Sequence, residues 1–156
     1  MRILYLFVVM VMISSCGYQL RGSMNVDGFE NVIIISNGHT SISRMLSQKL
    51  SSSVISQNQA YDTYPVVKIN SISSQKRQLS VNSSGRVDEY EISKSLDYEI
   101  IISENSTVKG TLRASASYDF NESRMQATKE QELITNTAID KVLTRKLIQK
   151  IRYTLK

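Results

Sequence analysis

Cysteine, histidine and proline each occur once in this 156-residue chain, tryptophan is missing, and glycine occurs six times. A single Cys cannot form an intrachain disulfide or a thiolate-based zinc site. A single His cannot supply the multi-histidine set of a metal or catalytic centre, so neither metal nor cofactor is expected. So little Pro and Gly excludes a loop-rich or linker-rich chain. The apolar run at residues 3–13 is 11 residues long, short of the roughly 20 that a membrane-crossing helix needs. What is present is ordinary for one globular domain: 41% hydrophobic and 21% charged residues. The net charge of +5 favours anionic partners such as nucleic acid, a membrane surface or lipid phosphates.

The N-terminus narrows that choice. Met1-Arg2 is a short positive end, and the apolar run behind it reads as the h-region of a signal peptide. It closes on Ile13-Ser14-Ser15-Cys16, which resembles the lipobox of bacterial lipoproteins. That resemblance implies a signal peptide over 1–15, lipidation of Cys16, and a lipidated tether over 16–30. An ordinary signal peptide cut near Ser15 is the alternative; a lone free thiol in an oxidising compartment is a liability, which favours acylation. Gly17 rather than Asp after Cys16 implies the outer membrane, with the protein on its periplasmic side. Export removes nucleic acid from the partners and leaves lipid head groups and lipopolysaccharide phosphates.

Residues 31–156 read as a single α+β domain. Asn31 to Ser36 is a continuous apolar run and predicts a buried strand. Thr40 or Ser41 caps a helix carrying Ile42, Met45, Leu46, Leu50 and Val54 at spacings of three and four, ending near Ser56. Pro65 opens a second strand, with Val67, Ile69, Leu79 and Val81 of one parity. A two-residue turn at Ser84-Gly85 would set Ile69 opposite Ile100 and Leu79 opposite Tyr90, unless a bulge, which Ile72 hints at, breaks the register. The third strand alternates cleanly: Tyr90, Ile92, Leu96, Tyr98 and Ile100 are even, Lys94 interrupts them, and the odd residues are polar. The fourth, Val108 to Phe120, repeats the pattern. Such alternation predicts one packed and one wet face, with Tyr90, Tyr98 and Tyr118 on the packed one. Even must meet even, so three or five residues around Glu104-Asn105 should link strands three and four, placing Glu99 opposite Lys109 or Asp97 opposite Arg113. A final helix runs from Met125 or Gln126 to about Tyr153. Its stripe combines Ile139, Leu143, Leu147, Ile151 and Leu155 with Ile134, Ala138 and Val142. The expected architecture is a two-layer sandwich, two helices on one face of a four-stranded mixed or antiparallel sheet.

Cys16-Gly17-Tyr18-Gln19-Leu20-Arg21-Gly22 resembles the opening of the LPS-assembly lipoprotein LptE family, and the order of elements behind it is similar to the family's. Glu104-Asn105-Ser106 stands where the family usually has Pro-Gly. The resemblance implies a non-enzymatic outer-membrane lipoprotein that complexes with the β-barrel LptD, plugs it and assists its assembly. It also implies help in delivering lipopolysaccharide to the outer leaflet. For the ligand, Lys76, Arg77, Arg86 and Lys129 are the candidate lipopolysaccharide-binding residues, with ordinary solvated charge as the alternative. Lys129 matches a Lys that the family carries before the last helix, and Arg86 stands just after Gly85, near a basic position of the family. A lipid-anchored periplasmic binding or inhibitor module with an unrelated partner is the other class of function. A hydrolase would need a partnered Ser and Asp near His39, and no Gly-x-Ser-x-Gly elbow is present.

Overall fold

A computed structural model describes residues 32–36, 40–50 and 65–155. Cys16, the segment before it, the tether, His39 and the expected first-helix end near Ser56 lie outside the described residues. The elements are β1 (Ile33–Ser36), α1 (Ser41–Leu50), β2 (Val66–Val81), β3 (Val87–Ser103), β4 (Ser106–Asp119) and α2 (Met125–Thr154), with a 3-10 turn at Glu122–Arg124 before α2. The sheet order is β1-β2-β3-β4; β1 pairs with β2 in parallel, and the other neighbours are antiparallel. Both helices pack on each other and on the sheet around one core, as the two-layer sandwich requires.

Local chemistry explains the boundaries. Thr40 caps α1 reciprocally: its Oγ1 accepts from Ser43 N at 3.1 Å while Ser43 Oγ accepts from Thr40 N at 3.0 Å. Ile42, Leu46 and Leu50 then share the buried face. β1 cannot alternate, because Ile34 and Ile35 are both buried. At the start of α2, Asn121 Oδ1 accepts from Ser123 N at 2.9 Å, and Thr128 Oγ1 accepts from Asn121 N at 3.2 Å.

The β2–β3 hairpin departs from the expected register. Its tip holds three residues, Ser83-Ser84-Gly85, not two, because Asn82 N donates to Arg86 O and Gly85 N donates to Asn82 O. Gly85 sits at φ +74°, the left-handed position that a three-residue loop places after its turn. Asn82 Oδ1 holds the tip by accepting from Ser84 N and Arg86 N. Near the base, Val67 faces Ile100 and Ile69 faces Tyr98; beyond the extra residue Asn70, Ile72 faces Leu96 and Gln78 faces Tyr90. The bulge therefore reverses which parity of β2 looks toward the helices. Leu79, the extra residue of a second irregularity between Gln78 and Ser80, is exposed, as is Val81 past a further shift, and Ile72 packs against the core instead.

β3 and β4 pair even with even as the parity argument requires, Leu96 with Leu112 and Tyr90 with Tyr118, and of the two outer-face alternatives Glu99 with Lys109 is the one formed. The link is shorter than expected: Ser103 already faces Ser106, and Ile102 supplies the odd count as a bulge. On α2, Ile139, Leu143, Leu147 and Ile151 are buried as expected. The second row differs. Ile134 and Ala138 are exposed, and Asp140, Thr144 and Ile148 are buried on the other flank. Polar side chains hide that flank from a hydrophobicity pattern. Thr144 Oγ1 returns its hydrogen to Asp140 O at 2.8 Å, and Asp140 Oδ1 accepts from Lys94 Nζ at 2.7 Å. The Lys that interrupts β3 is thus matched by an Asp on α2, and each side chain is only 12% exposed.

Candidate anion site at the hairpin end

Three elements converge at one end of the sheet: the hairpin tip of β2 and β3, the end of β4, and the start of α2. A last cross-strand bond, Phe120 N to Asp88 O, holds the end of β4 on β3 before the chain enters the 3-10 turn. An aromatic floor results. Tyr90 stacks on Tyr118 with centroids 6.1 Å apart and meets Phe120 edge-on at 5.1 Å.

Lys76 lies on this floor. Its Nζ stands 4.5 Å from the Tyr90 centroid and 5.3 Å from that of Tyr118, within cation–π range. It also donates to Glu132 Oε2 on α2 at 2.8 Å, and Tyr118 Oη donates to the same oxygen at 2.9 Å. Burial pulls the Lys76 pKa down, but hydrogen bonding to Glu132 and Tyr118 outweighs it and holds the ammonium above its ordinary 10.5. The same Lys76 bond holds the Glu132 carboxyl below its ordinary 4.5. Burial pushes the Tyr118 phenol up from 10.0. Lys76 and Glu132 are therefore a fixed ion pair across the domain's two layers.

Arg86, just past the tip, reaches Glu122 in the turn before α2, Nη1 to Oε2 at 3.1 Å. Lys129 is exposed on the first turns of α2, three residues before Glu132, and forms no ion pair among the described residues. The structure thus brings Lys76, Arg86 and Lys129 to one end of the molecule. Arg77 is separate. Successive strand residues point to opposite faces, and Arg77 pairs with Glu91 at 2.5 Å on the face away from the helices. The Glu91 carboxyl is held below 4.5 by that bond. Neither carboxylate partner on the helix side, Glu122 or Glu132, was visible in the sequence, because the bulge at Asn70 decides that Lys76 rather than Arg77 meets α2.

The outer face of β3 and β4 carries a ladder of small polar groups. Ser71 and Thr111 both donate to Asp97 at 2.6 Å, which holds its carboxyl below 3.8, and Ser73 bonds Ser95 at 2.7 Å. A shallow groove there is lined by Ser73, Gln75, Ser93, Ser95, Arg113 and Ser115. At the free edge of β4, Lys146 Nζ donates to Arg113 O at 2.7 Å. Among the described residues no helix is long and apolar enough to cross a membrane, and no three His, Cys, Asp or Glu side chains gather as a metal would need.

Comparison with known proteins gives a family and a fold. The family described as LptE, lipopolysaccharide-assembly, matches residues 22–155. The crystal structure of the rare lipoprotein B from Shewanella oneidensis is similar with a TM-score of 0.67 at 16% identity, covering 80% of this chain and 96% of that one. The solution structure of a lipoprotein B from Nitrosomonas europaea gives 0.66 at 22% identity, covering 86% and 90%. A minor lipoprotein from Acinetobacter baumannii gives 0.61 at 14%, covering 79% and 90%. No curated protein sequence matches the chain significantly.

Proposed function

The chain belongs to the LptE lipopolysaccharide-assembly family, and from that premise we propose that it is a lipoprotein of the outer membrane, anchored through Cys16, that partners the β-barrel LptD and binds lipopolysaccharide. Its role in this reading is non-enzymatic: it plugs the barrel, assists its assembly and helps deliver lipopolysaccharide to the outer leaflet. The observation that carries the ligand assignment is the convergence of Lys76, Arg86 and Lys129 from the hairpin and α2 at one end of the sheet. Cations gathered from separate elements suit a phosphate, which accepts several charge-assisted hydrogen bonds. Arg77, on the opposite face, falls outside this group. The barrel assignment draws support from the outer face of β3 and β4. Its hydroxyl-rich, charged surface is compatible with a barrel lumen, which is polar.

The ligand test is charge reversal. Arg86→Asp with Lys129→Asp weakens lipopolysaccharide binding while the melting temperature stays near wild type, since both side chains are exposed. Binding of the wild type also falls with salt, as a Debye length of about 8 Å at physiological ionic strength requires. A folded double variant that binds as wild type does across a salt series defeats the assignment. For the partner, detergent extraction of the native outer membrane and affinity capture of this protein should bring down a large β-barrel identified by mass spectrometry. Capture of a different, soluble periplasmic partner instead would favour a lipid-anchored inhibitor.

A further inference from the structure

We infer that Glu122 and Glu132 are built-in counter-anions seated where a ligand's phosphates bind, so that the hairpin-end site is entered by exchanging carboxylate for phosphate. The inference rests on the reading of that end as a phosphate site. Its basis is the pairing pattern. Of the three candidate cations gathered there, where Arg124 also lies exposed, Lys76 is held by Glu132 and Arg86 by Glu122, and both carboxylates come from one short stretch, 122–132, around the start of α2. Lys129 lies on that same stretch, exposed and without an ion pair among the described residues. It is three residues from Glu132, hence a neighbour on the helix surface. An arriving phosphate meets Lys129 first and then competes for the other two cations.

The competition favours the phosphate. The Arg86 and Glu122 side chains are 68% and 56% exposed, so water screens their attraction and the pair opens at little cost. A phosphate monoester carries more charge than a carboxylate and three acceptor oxygens instead of two. Lys76 is the stricter gate, because Glu132 also accepts from Tyr118 Oη. Two resident carboxylates repel a weakly charged head group and yield to a multiply phosphorylated one. The site therefore selects lipids bearing more than one phosphate over zwitterionic or singly charged lipids.

The test uses the lipidated full chain in detergent and three probes: purified lipopolysaccharide, the same lipopolysaccharide stripped of its phosphates, and inorganic pyrophosphate. Glu122→Gln and Glu132→Gln are each expected to tighten lipopolysaccharide binding about two- to fivefold, the size of a released exposed ion pair. Neither should change binding of the stripped form. Glu91→Gln, on the opposite face, should leave all three probes unchanged. A gain on pyrophosphate equal to that on lipopolysaccharide assigns the exchange to the phosphate group itself, and a gain on lipopolysaccharide alone assigns it to the lipid-borne group. If the wild type binds in a phosphate-dependent way and both folded Gln variants bind no tighter, the carboxylates only organise the site and the inference fails while the ligand reading stands. If the wild type is indifferent to the phosphates, the ligand reading fails first. Should Glu132→Gln not fold, Glu122→Gln decides, since that residue lies in an exposed turn.

Discussion

Tyr98 occupies the space that a side chain on Gly110 would need. The two residues face each other across β3 and β4, and a Cβ on residue 110 would lie 2.8 Å from Tyr98 Oη and 3.0 Å from its Cζ. Tyr98 is buried, so the ring cannot swing into solvent without opening the core. Gly110→Ala should therefore destabilise the domain by about 1–3 kcal/mol through overpacking. Tyr98→Phe removes the closest atom and should recover part of that loss in the double variant. Denaturant unfolding of the four proteins in this cycle measures the recovery, and additive effects would show that the Tyr98 hydroxyl does not crowd position 110.

Leu143 and Leu147 are fully buried on α2. Leu143→Asp or Leu147→Asp places an unpaired carboxylate there, at a cost of several kcal/mol, comparable with the whole stability of a domain. Either variant should lose its cooperative melt in circular dichroism. A near-wild-type transition for Leu147→Asp would mean that this stripe is not core in solution.

Lys94 and Asp140 tie β3 to α2 with little solvent access. Removing one partner leaves a charge in a poorly hydrated place, so Lys94→Met or Asp140→Asn alone should cost about 3 kcal/mol. Replacing both, Lys94→Met with Asp140→Leu, should cost much less than the two single changes together. Equal and additive losses in urea unfolding would count the pair as solvated charge.

Acid should weaken the link between the hairpin and α2. Lys76 holds the Glu132 carboxyl below its ordinary 4.5 in the folded protein. The stability this brings is fully present above about pH 4.5 and is lost as pH falls through the lower folded value. The side chain is 34% exposed, so screening keeps the contribution under about 1 kcal/mol. Melting temperatures of wild type and Glu132→Gln should accordingly differ at pH 6 and converge toward pH 3. A constant gap across that range would assign the difference to packing.

Cys16→Ala should yield a precursor without acyl groups that does not fractionate with outer-membrane lipoproteins, because Ile13-Ser14-Ser15-Cys16 offers one acylation site. Metabolic fatty-acid labelling equal to wild type would place the anchor elsewhere.

The two clean alternations of β3 and β4 were legible because successive residues there face water and core in turn, and parity reduced the outer-face pairing to two alternatives, of which Glu99 with Lys109 is the one formed. The α2 row Ile139, Leu143, Leu147 and Ile151 was legible for the same reason. Its second flank was not. Asp140 and Thr144 are polar, and their burial depends on Lys94 reaching across from another element. β2 hid its register because Ser, Gln and Asn fill its middle and carry no periodic signal. The basic residues of the site could be named from sequence, but their carboxylate partners could not, since Glu122 and Glu132 are brought to them only by tertiary folding.

Asn70 sets the phase of β2. Were it paired like its neighbours, the register of the base, Val67 with Ile100 and Ile69 with Tyr98, would run on to the tip and set Lys76 beside Glu91 and Arg77 beside Tyr90. The base itself would hold: Val67 and Ile69 are buried, and expelling them costs roughly 1.5–3 kcal/mol each, more than an exposed ion pair returns. Deleting Asn70 does the opposite, because Ile69 and Ser71 then follow each other in unbroken alternation and Lys76 keeps its face. Losing the residue thus leaves the site's cation in place, whereas drawing it into the ladder would exchange that cation with every charged residue in the chain unchanged. In this domain, a single unpaired asparagine writes the address of the site.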